Sequence, residues 1–222
     1  MSETSPSHRA RLLEAARQLG LALSDSEADQ LLAYLDLLQR WNSTYNLTAV
    51  RDPDRMLSQH VFDCLAVMVP LRRHLGDTAA PQRLLDVGSG GGLPGVVIAI
   101  LNPAIDVTCV DTVGKKAAFV QQVAASLRLR NLHAQHARVE QLKAPGFDVI
   151  TSRAFASLAD FVGLTRALLA EDGAWLAMKG RNPADEVNTL PPDIAVFHVE
   201  QLQVPELEAE RCLVWMRPKP SL

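Results

Sequence analysis

The residues best suited to hold a ligand are four glycines within five positions and an aspartate that follows them. The glycines are Gly88, Gly90, Gly91 and Gly92, and Asp111 lies 23 positions after the first of them. Because glycine adopts positive φ freely and carries no side chain, a ligand can approach the main chain of such a turn closely. A carboxylate at this spacing typically accepts hydrogen bonds from both hydroxyls of a ribose. The pattern therefore predicts a site for a nucleoside-type ligand.

The flanking apolar runs predict the elements that position these residues. Residues 84–87 have the composition of a buried parallel strand, residues 96–101 that of a helix, and residues 105–110 that of a second strand, which ends at Asp111. The order strand, glycine turn, helix, strand and acid favours a nucleoside site over a plain tight turn with Asp111 as a helix cap.

The spacing of the glycines separates two classes of nucleoside ligand. A dinucleotide site uses the pattern G-x-G-x-x-G, whereas here Asp86 begins the pattern D-x-G-x-G-x-G. This pattern resembles the first motif of class I S-adenosylmethionine (AdoMet) methyltransferases. Because AdoMet has no pyrophosphate, its turn need not cradle phosphate, and a dehydrogenase is the weaker interpretation.

Strands and helices alternate along the rest of the chain. Two amphipathic helices, a polar and aromatic connection at 41–50 and a helix from about 54 to 69 precede the glycine turn. Later strands are predicted at 133–136, 147–152, 174–178, 194–204 and 211–216. This alternation predicts an α/β fold, a Rossmann-like, doubly wound, mostly parallel seven-stranded sheet with an N-terminal helical extension. We expect residues 1–80 to form the extension and residues 81–222 to form one compact class I methyltransferase domain.

Composition restricts the class of protein. The net charge of −3 argues against broad nucleic-acid binding, although residues 81–181 carry 11 basic and 8 acidic side chains, which permits a local basic face. Three scattered cysteines form no C-x-x-C pair, and His60 is isolated, so no metal site or disulfide is expected. The sequence has no signal peptide and no apolar run of about 18 residues, so we expect a cytoplasmic protein without membrane association.

The residues after the fourth predicted strand narrow the acceptor. Methyltransferases that act on exocyclic amines usually carry an Asn/Asp-Pro-Pro-aromatic turn there, whereas this chain has Ser152-Arg153-Ala154-Phe155. Cytosine-C5 enzymes need a cysteine that follows a proline, and the sequence contains no Pro-Cys pair. Two kinds of methyl acceptor remain: an atom that already carries a lone pair, such as guanine N7, and a small molecule. Such a reaction needs alignment more than acid–base chemistry.

Longer blocks of sequence extend the resemblance to nearly the whole chain. They are residues 45–53, 60–65, 86–95, 152–158 and 179–180. Together they resemble the RsmG family, also called the glucose-inhibited division protein B family, of 16S rRNA guanine-N7 methyltransferases. The Leu-Pro-Gly extension at 93–95 and the Ser-Arg-Ala-Phe block at 152–155 are more specific than the glycines. One departure is Cys64, where the family pattern has serine.

The resemblance implies AdoMet-dependent methylation of guanine N7 in the 530 loop of 16S rRNA, with naked rRNA, the small ribosomal subunit or an assembly intermediate as the partner. The residues that it implies for AdoMet binding are Gly88, Gly90, Leu93, Asp111, Val139, Glu140 and Arg153, with Asp111 on the ribose. Arg153 is also the candidate catalytic residue, either beside the methionine carboxylate or facing an rRNA phosphate. Phe155 is a candidate to stack on the guanine.

Two other functions are compatible with the motifs. The acidic net charge is compatible with an AdoMet methyltransferase whose acceptor is a small molecule or a protein. A nucleotide-binding regulator without catalytic activity would need the same glycine turn. Methyl transfer to ribosomal particles distinguishes the rRNA methyltransferase from both.

Overall fold

A seven-stranded sheet forms the centre of the protein. The computed structural model describes residues 6–76, 80–143, 146–153, 155, 157–181 and 183–220, so Ala154 and Ala156 of the block at 152–158 lie outside the described residues. The strands are β1 (Gln82–Val87), β2 (Ile105–Asp111), β3 (Leu132–His136), β4 (Phe147–Ser152), β5 (Leu169–Lys179), β6 (Ile194–Leu202) and β7 (Arg211–Pro218). Their order across the sheet is β3-β2-β1-β4-β5-β7-β6.

The first five strands are parallel, and only β7 and β6 run antiparallel to their neighbours. The predicted doubly wound, mostly parallel seven-stranded sheet is therefore confirmed. The strand order reverses beside β1, where β2 lies on one side and β4 on the other. In sheets of this kind the ligand site lies outside the carboxyl ends of the strands at this position.

Helices cover both faces of the sheet. In chain order they are α1 (Pro6–Gln18), α2 (Asp25–Tyr45), α3 (Pro53–Met56), α4 (Asp63–Leu65), α5 (Met68–Leu75), α6 (Gly95–Leu101), α7 (Gly114–Ser126), α8 (Leu158–Thr165) and α9 (Ala184–Val187). One apolar core joins α1, α2 and α5–α7 to one face, and a second core joins α8 to the other. The division of the chain at residue 80 stays a prediction.

Helix α2 is longer than the sequence pattern indicated. The predicted connection at 41–50 is wrong for residues 41–45, which continue the helix. Trp41 stabilises this last turn because its ring packs 5.5 Å from that of Phe119 and 5.0 Å from that of Tyr45. The helix ends at Tyr45 and is capped by Asn46, whose φ of +50° lies in the left-handed region.

The helix predicted from about 54 to 69 contains an irregular segment. Residues Leu57–Phe62 form a π-helix between α3 and α4, and α5 begins only at Met68. A 3.6-residue periodicity cannot predict the wider π turn, which occurs frequently at functional sites. Asp52 caps the start of α3 by accepting from the Arg55 N–H, and Pro53 occupies the first turn.

Contacts between α2 and the glycine turn link the N-terminal helices to the sheet. Tyr34 of α2 is fully buried, and its hydroxyl donates to the carbonyl of Gly91 at 2.7 Å. Behind the turn, a Cβ built on Gly95 would lie 2.4 Å from Sγ of Cys109, so the start of α6 packs directly on β2. The turn is thus fixed from two sides.

Among the described residues, every helix is too short or too polar to span a lipid bilayer.

Candidate active site

The glycine turn joins β1 to α6 at the switch point of the sheet. Gly88, Gly90 and Gly92 have φ values of +67°, +58° and +83°, a region that favours glycine. The N–H of Gly88 donates to the carbonyl of Val110 at 2.9 Å, which holds the turn against the end of β2. The sequence pattern therefore predicted a turn whose backbone conformation requires glycine at three positions.

Asp111, at the end of β2, supports the turn and borders a cavity. Its carboxylate accepts from the N–H of Gly90 through Oδ2 and from the N–H of Val113 through Oδ1, each at 2.9 Å. Nζ of Lys116 lies 3.9 Å from Oδ2 of Asp111. Because an ionised carboxylate has about four acceptor positions, these two hydrogen bonds leave acceptor capacity for a ligand.

The first cavity lies on the β2 side of the turn and has a volume of about 360 Å³. Its walls combine apolar residues with two acids and two basic residues, and they include Val87, Gly88, Val110, Asp111, Val113, Lys116, Arg138, Val139, Glu140, Phe155 and Leu164. Four of the predicted cofactor residues thus meet here. Phe155, which the sequence suggested for stacking on the acceptor, also borders this cavity, with its ring 5.3 Å from that of Phe161.

A second cavity of about 220 Å³ lies on the other side of the turn. It is lined by Leu38, Leu47, Thr48, His60, Gly88, Ser89, Gly90, Gly91, Leu93 and Arg153. Gly88 borders both cavities, so they meet at the bare backbone of the turn. The remaining predicted residues, Gly90, Leu93 and Arg153, therefore lie on this side, away from Val139 and Glu140.

Arg153 belongs to a charged cluster that the sequence did not predict. Its NH1 donates to Oδ2 of Asp63 at 3.1 Å and to the carbonyl of Gln59 at 3.3 Å. Asp63 is almost fully buried, and its Oδ1 accepts from Nε of Arg211 at 2.8 Å. Since Arg211 lies 148 residues after Asp63, no local sequence signal connects the two.

His60, whose isolation in the sequence argued only against a metal ligand, is a buried imidazole. Its Nε2 lies 2.9 Å from Oγ1 of Thr48, whereas its Nδ1 is buried without a hydrogen-bond partner among the described residues. Burial, and after it the nearby charge of Arg153, lowers the pKa of His60 to about 4. The ring is therefore neutral at neutral pH. His60 lies in the π-helix, and no periodicity of the sequence marks that segment.

Asp86, the acid that begins the glycine pattern, is fully buried beneath the turn. Its Oδ2 accepts from the N–H of Gly95 at 2.8 Å, whereas Oδ1 has no partner within the described part of the chain. Burial raises the pKa of Asp86 to about 7. Close to neutral pH this side chain therefore exchanges between a neutral acid and an unpaired carboxylate.

These two groups are expected to give opposite pH dependences of folding stability. His60 has a folded pKa below its usual 6.5, so its contribution to stability falls as the pH drops from 6.5 to 4. Asp86 has a folded pKa above its usual 3.8, so its contribution falls as the pH rises from 3.8 to 7. Between pH 4 and 6.5 the two slopes oppose each other.

Single variants should separate the two contributions. We expect Asp86→Asn to make the stability rise more steeply with pH than in the wild type, by up to about 1.4 kcal/mol per pH unit. His60→Asn should make the stability rise less steeply with pH than in the wild type, by a similar amount. Urea unfolding at half-unit intervals from pH 4.5 to 6.5 measures both. Parallel profiles for all three proteins would show that neither group has a shifted pKa.

The described residues contain no group of three or more His, Cys, Asp or Glu side chains arranged to hold a metal ion. The candidate chemistry of the site therefore rests on the glycine backbone, the acids Asp86 and Asp111, the imidazole of His60 and the cluster around Asp63. These features leave room for a nucleoside on one side of the turn and for a second molecule on the other.

Comparison with known proteins gives the family. The profile of the GidB family, described as rRNA small subunit methyltransferase G, matches residues 27–214. The ribosomal RNA small subunit methyltransferase G of Leptothrix cholodnii is 64% identical over 211 residues, which are 95% of this chain and 96% of that protein. The protein of the same name from Paracidovorax citrulli is 61% identical over 220 residues, with 95% and 90% covered.

Solved structures show the same fold at much lower identity. TrmN from Thermus thermophilus has a TM-score of 0.55 at 21% identity, with 73% of this chain and 53% of that chain covered. A SAM-dependent methyltransferase from Aquifex aeolicus has a TM-score of 0.55 at 16% identity, with 77% of this chain and 96% of that chain covered. The fold is thus the Rossmann-like fold of AdoMet methyltransferases. With a family match that includes the glycine turn, Asp63, Arg153 and Arg211, the chain belongs to the rRNA small subunit methyltransferase G family.

Proposed function

We propose that this protein transfers the methyl group of AdoMet to N7 of a guanine in the 530 loop of 16S rRNA. Family membership makes the chain an AdoMet-dependent rRNA small subunit methyltransferase. The observation that carries the proposal is the bare glycine backbone between two cavities, with Asp111 at its edge. The proposed partner is the small ribosomal subunit or an intermediate in its assembly, and the proposed location is the cytoplasm.

The residues of the turn fit AdoMet. A Cβ built on Gly90 would have Gly88 O, at 4.0 Å, as its nearest neighbour, so open space lies directly over the backbone. Asp86 supports the turn from beneath, where its Oδ2 accepts from the N–H of Gly95, and it lines neither cavity. AdoMet would supply a methyl group on a sulfonium cation. Its ammonium and sulfonium groups are both cationic, and Asp111 provides an anionic group at the edge of the turn.

We assign the two cavities to the two halves of AdoMet. In the first cavity, Asp111 would accept from the ribose hydroxyls, and Val139 and Glu140 would border the adenine. In the second cavity, Gly90 and Leu93, which the resemblance implies for AdoMet binding, would border the methionine half. The free acceptor positions of Asp111 and the apolar walls of the first cavity support this orientation.

The methyl transfer itself needs alignment rather than proton transfer. The N7 lone pair forms a bond to the methyl carbon, the electron pair of the breaking bond returns to sulfur, and no proton leaves the base before attack. The neutral state of His60 at neutral pH agrees with a reaction that requires no general acid. Holding donor and acceptor in line supplies most of the rate gain in such a step. Arg153, which borders the second cavity, would act as a positioning residue between donor and acceptor.

Mapping of N7-methylguanosine in 16S rRNA tests the proposal. We expect cells that lack the gene to lose one such nucleoside from the 530 loop, and a plasmid copy of the wild-type gene to restore it. A copy with Asp106→Ala, on the exposed side of β2, should restore it as well. An unchanged methylation map in the deletion strain would contradict the proposal. Transfer of labelled methyl groups to another molecule, but not to ribosomal particles, would instead favour a different acceptor.

A further inference from the structure

A third cavity lies beside the proposed methionine half of the donor site. Its volume is about 370 Å³, and its polar walls are formed by Gln59, His60, Asp63, Arg153, Lys179 and Arg211. His60 and Arg153 line both this cavity and the second one, so the two cavities are neighbours. The first cavity, with Asp111 and Glu140, lies on the far side of the glycine turn. The third cavity therefore adjoins the proposed methionine half of the donor site on the side away from the first cavity.

A buried carboxylate holds the cationic wall of this cavity in one geometry. Asp63 is 1% exposed and accepts from Arg153 through one oxygen and from Arg211 through the other. NH1 of Arg211 donates to the carbonyl of Glu210 at 2.9 Å. Its NH2 has no hydrogen-bond partner among the residues that the structure describes. Because both guanidinium groups are anchored, Arg211 presents its NH2 donor without a large entropic cost.

The other notable donor is the unpaired ring nitrogen of His60. Oγ1 of Thr48 accepts from the N–H of Val50 at 3.2 Å, so its own proton is available for Nε2 of His60 at 2.9 Å. We assign the ring proton to Nδ1 on this basis. That N–H is buried and has no acceptor at hydrogen-bond distance in the described part of the chain, although the backbone of Gln59 lies near enough to the ring to raise its pKa against the stronger effect of burial. A buried donor without a partner is costly, and a ligand carbonyl at this position would remove the cost.

Lys179 contributes less than its charge suggests. Its Nζ donates to Oε2 of Glu186 at 2.8 Å and to the carbonyl of Phe155 at 3.2 Å. Glu186 therefore neutralises it within the wall. Arg211 and His60 are then two lining groups that offer hydrogen-bond donors to a ligand.

We propose that the third cavity receives the acceptor guanine, with its O6 accepting from Arg211 and from the Nδ1–H of His60. This inference rests on the proposed function. Guanine presents O6 and N7 as neighbouring acceptors, whereas adenine carries an amino donor in place of O6. The donors of Arg211 and His60 would favour the O6 acceptor of guanine over the amino group of adenine and leave N7 free toward the donor site. The neutral ring of His60 adds no positive charge beside a base that becomes cationic on methylation.

Arg211 is the residue whose replacement tests this inference most cleanly, because it lines the third cavity and neither of the cavities assigned to AdoMet. We expect Arg211→Gln to lower kcat/KM for unmethylated small subunits about 10- to 100-fold, which corresponds to the loss of one charge-assisted hydrogen bond. Its Kd for AdoMet, measured by calorimetry, should stay within about twofold of the wild type. Arg217→Gln, at the exposed far end of the same strand, is the matched control and should change neither quantity.

His60 provides a second, independent test. We expect His60→Ala to lower kcat/KM for small subunits, and His60→Asn, which returns an amide donor close to the position of Nδ1, to recover part of the loss. A purely structural role would make the two variants equally poor or equally active. His133→Ala, which removes an exposed imidazole from β3, is the control for loss of a histidine.

Three outcomes would overturn the inference. The first is Arg211→Gln methylating small subunits as the wild type does. The second is a loss of AdoMet affinity equal to the loss of activity, which would place Arg211 in the donor site. The third is a change of about one in the slope of log(kcat/KM) against log[salt], the mark of a lost phosphate contact. Failure of the wild type itself to methylate small subunits would instead contradict the proposed function.

Discussion

Gly90→Val is expected to abolish AdoMet binding, with an affinity at least about 100-fold below that of the wild type. The φ of Gly90 is +58°, and the left-handed region costs a β-branched residue about 1–3 kcal/mol. The added side chain would also enter the second cavity, because Gly88 O, at 4.0 Å, is the nearest protein atom to its Cβ. If the turn moved to relieve the strain, the hydrogen bond from Gly90 to Asp111 would break.

A matched variant separates these effects from a general loss of stability. Gly20, in the turn after α1, has a φ of +74° and no heavy atom within 4 Å of a built Cβ. Gly20→Val therefore carries comparable backbone strain at a site remote from the glycine turn. We expect it to lower the melting temperature to a similar degree and to leave the Kd for AdoMet unchanged. Normal binding by Gly90→Val in calorimetry would contradict close approach of the cofactor to the backbone.

Asp111→Ala is expected to weaken AdoMet binding by about 1.5–3 kcal/mol, which corresponds to roughly 10- to 150-fold. This is the contribution of one charge-assisted contact to the ribose. The carboxylate also accepts from the N–H groups of Gly90 and Val113, so the alanine variant loosens the turn as well. The effect should therefore lie toward the upper end of this range.

Two further variants make the result for Asp111 specific. Asp111→Asn retains an acceptor but loses the charge, so its affinity should fall between those of the wild type and the alanine variant. Asp106→Ala lies on the same strand, where Asp106 pairs with the exposed ring of His133 at 2.7 Å, and it should bind AdoMet normally. An Asp111→Ala affinity equal to that of the wild type would mean that another group holds the ribose.

The donor side of the site could be predicted because its parts are contiguous in sequence. The apolar run at 84–87, the glycines and the strand that ends at Asp111 all follow local rules, and β1, α6 and β2 form where those rules place them. The positive φ values at Gly88, Gly90 and Gly92 are the structural counterpart of the sequence pattern. Roles in cofactor binding for these residues remain predictions.

The acceptor side could not be predicted because it depends on contacts that are distant in sequence. Asp63 meets Arg211 only because β7 returns antiparallel beside β5, which brings the start of β7 to the carboxyl end of the parallel strands. The π-helix that carries His60 has no 3.6-residue signature. The raised pKa of Asp86 follows from complete burial, which the sequence position alone does not give.

Helix α2 shows how tertiary contacts override a local pattern. Residues 41–45 have the composition of a connection, yet they remain helical because Trp41 packs against Phe119 of α7. Asn42 also stabilises this part of the helix, because its side chain accepts from the N–H of Thr48 and donates to the carbonyl of Val50. These contacts place Thr48 next to His60 and so build part of the second cavity.

A crystal structure of the protein with S-adenosylhomocysteine, the product form of the cofactor, tests the central claim most directly. We expect the ribose hydroxyls within about 2.6–3.2 Å of the Asp111 carboxylate, with the amino-acid half of the ligand against the backbone of residues 88–92. Density for the ligand at any other position, with the two cavities beside the glycine turn empty of it, would contradict this account.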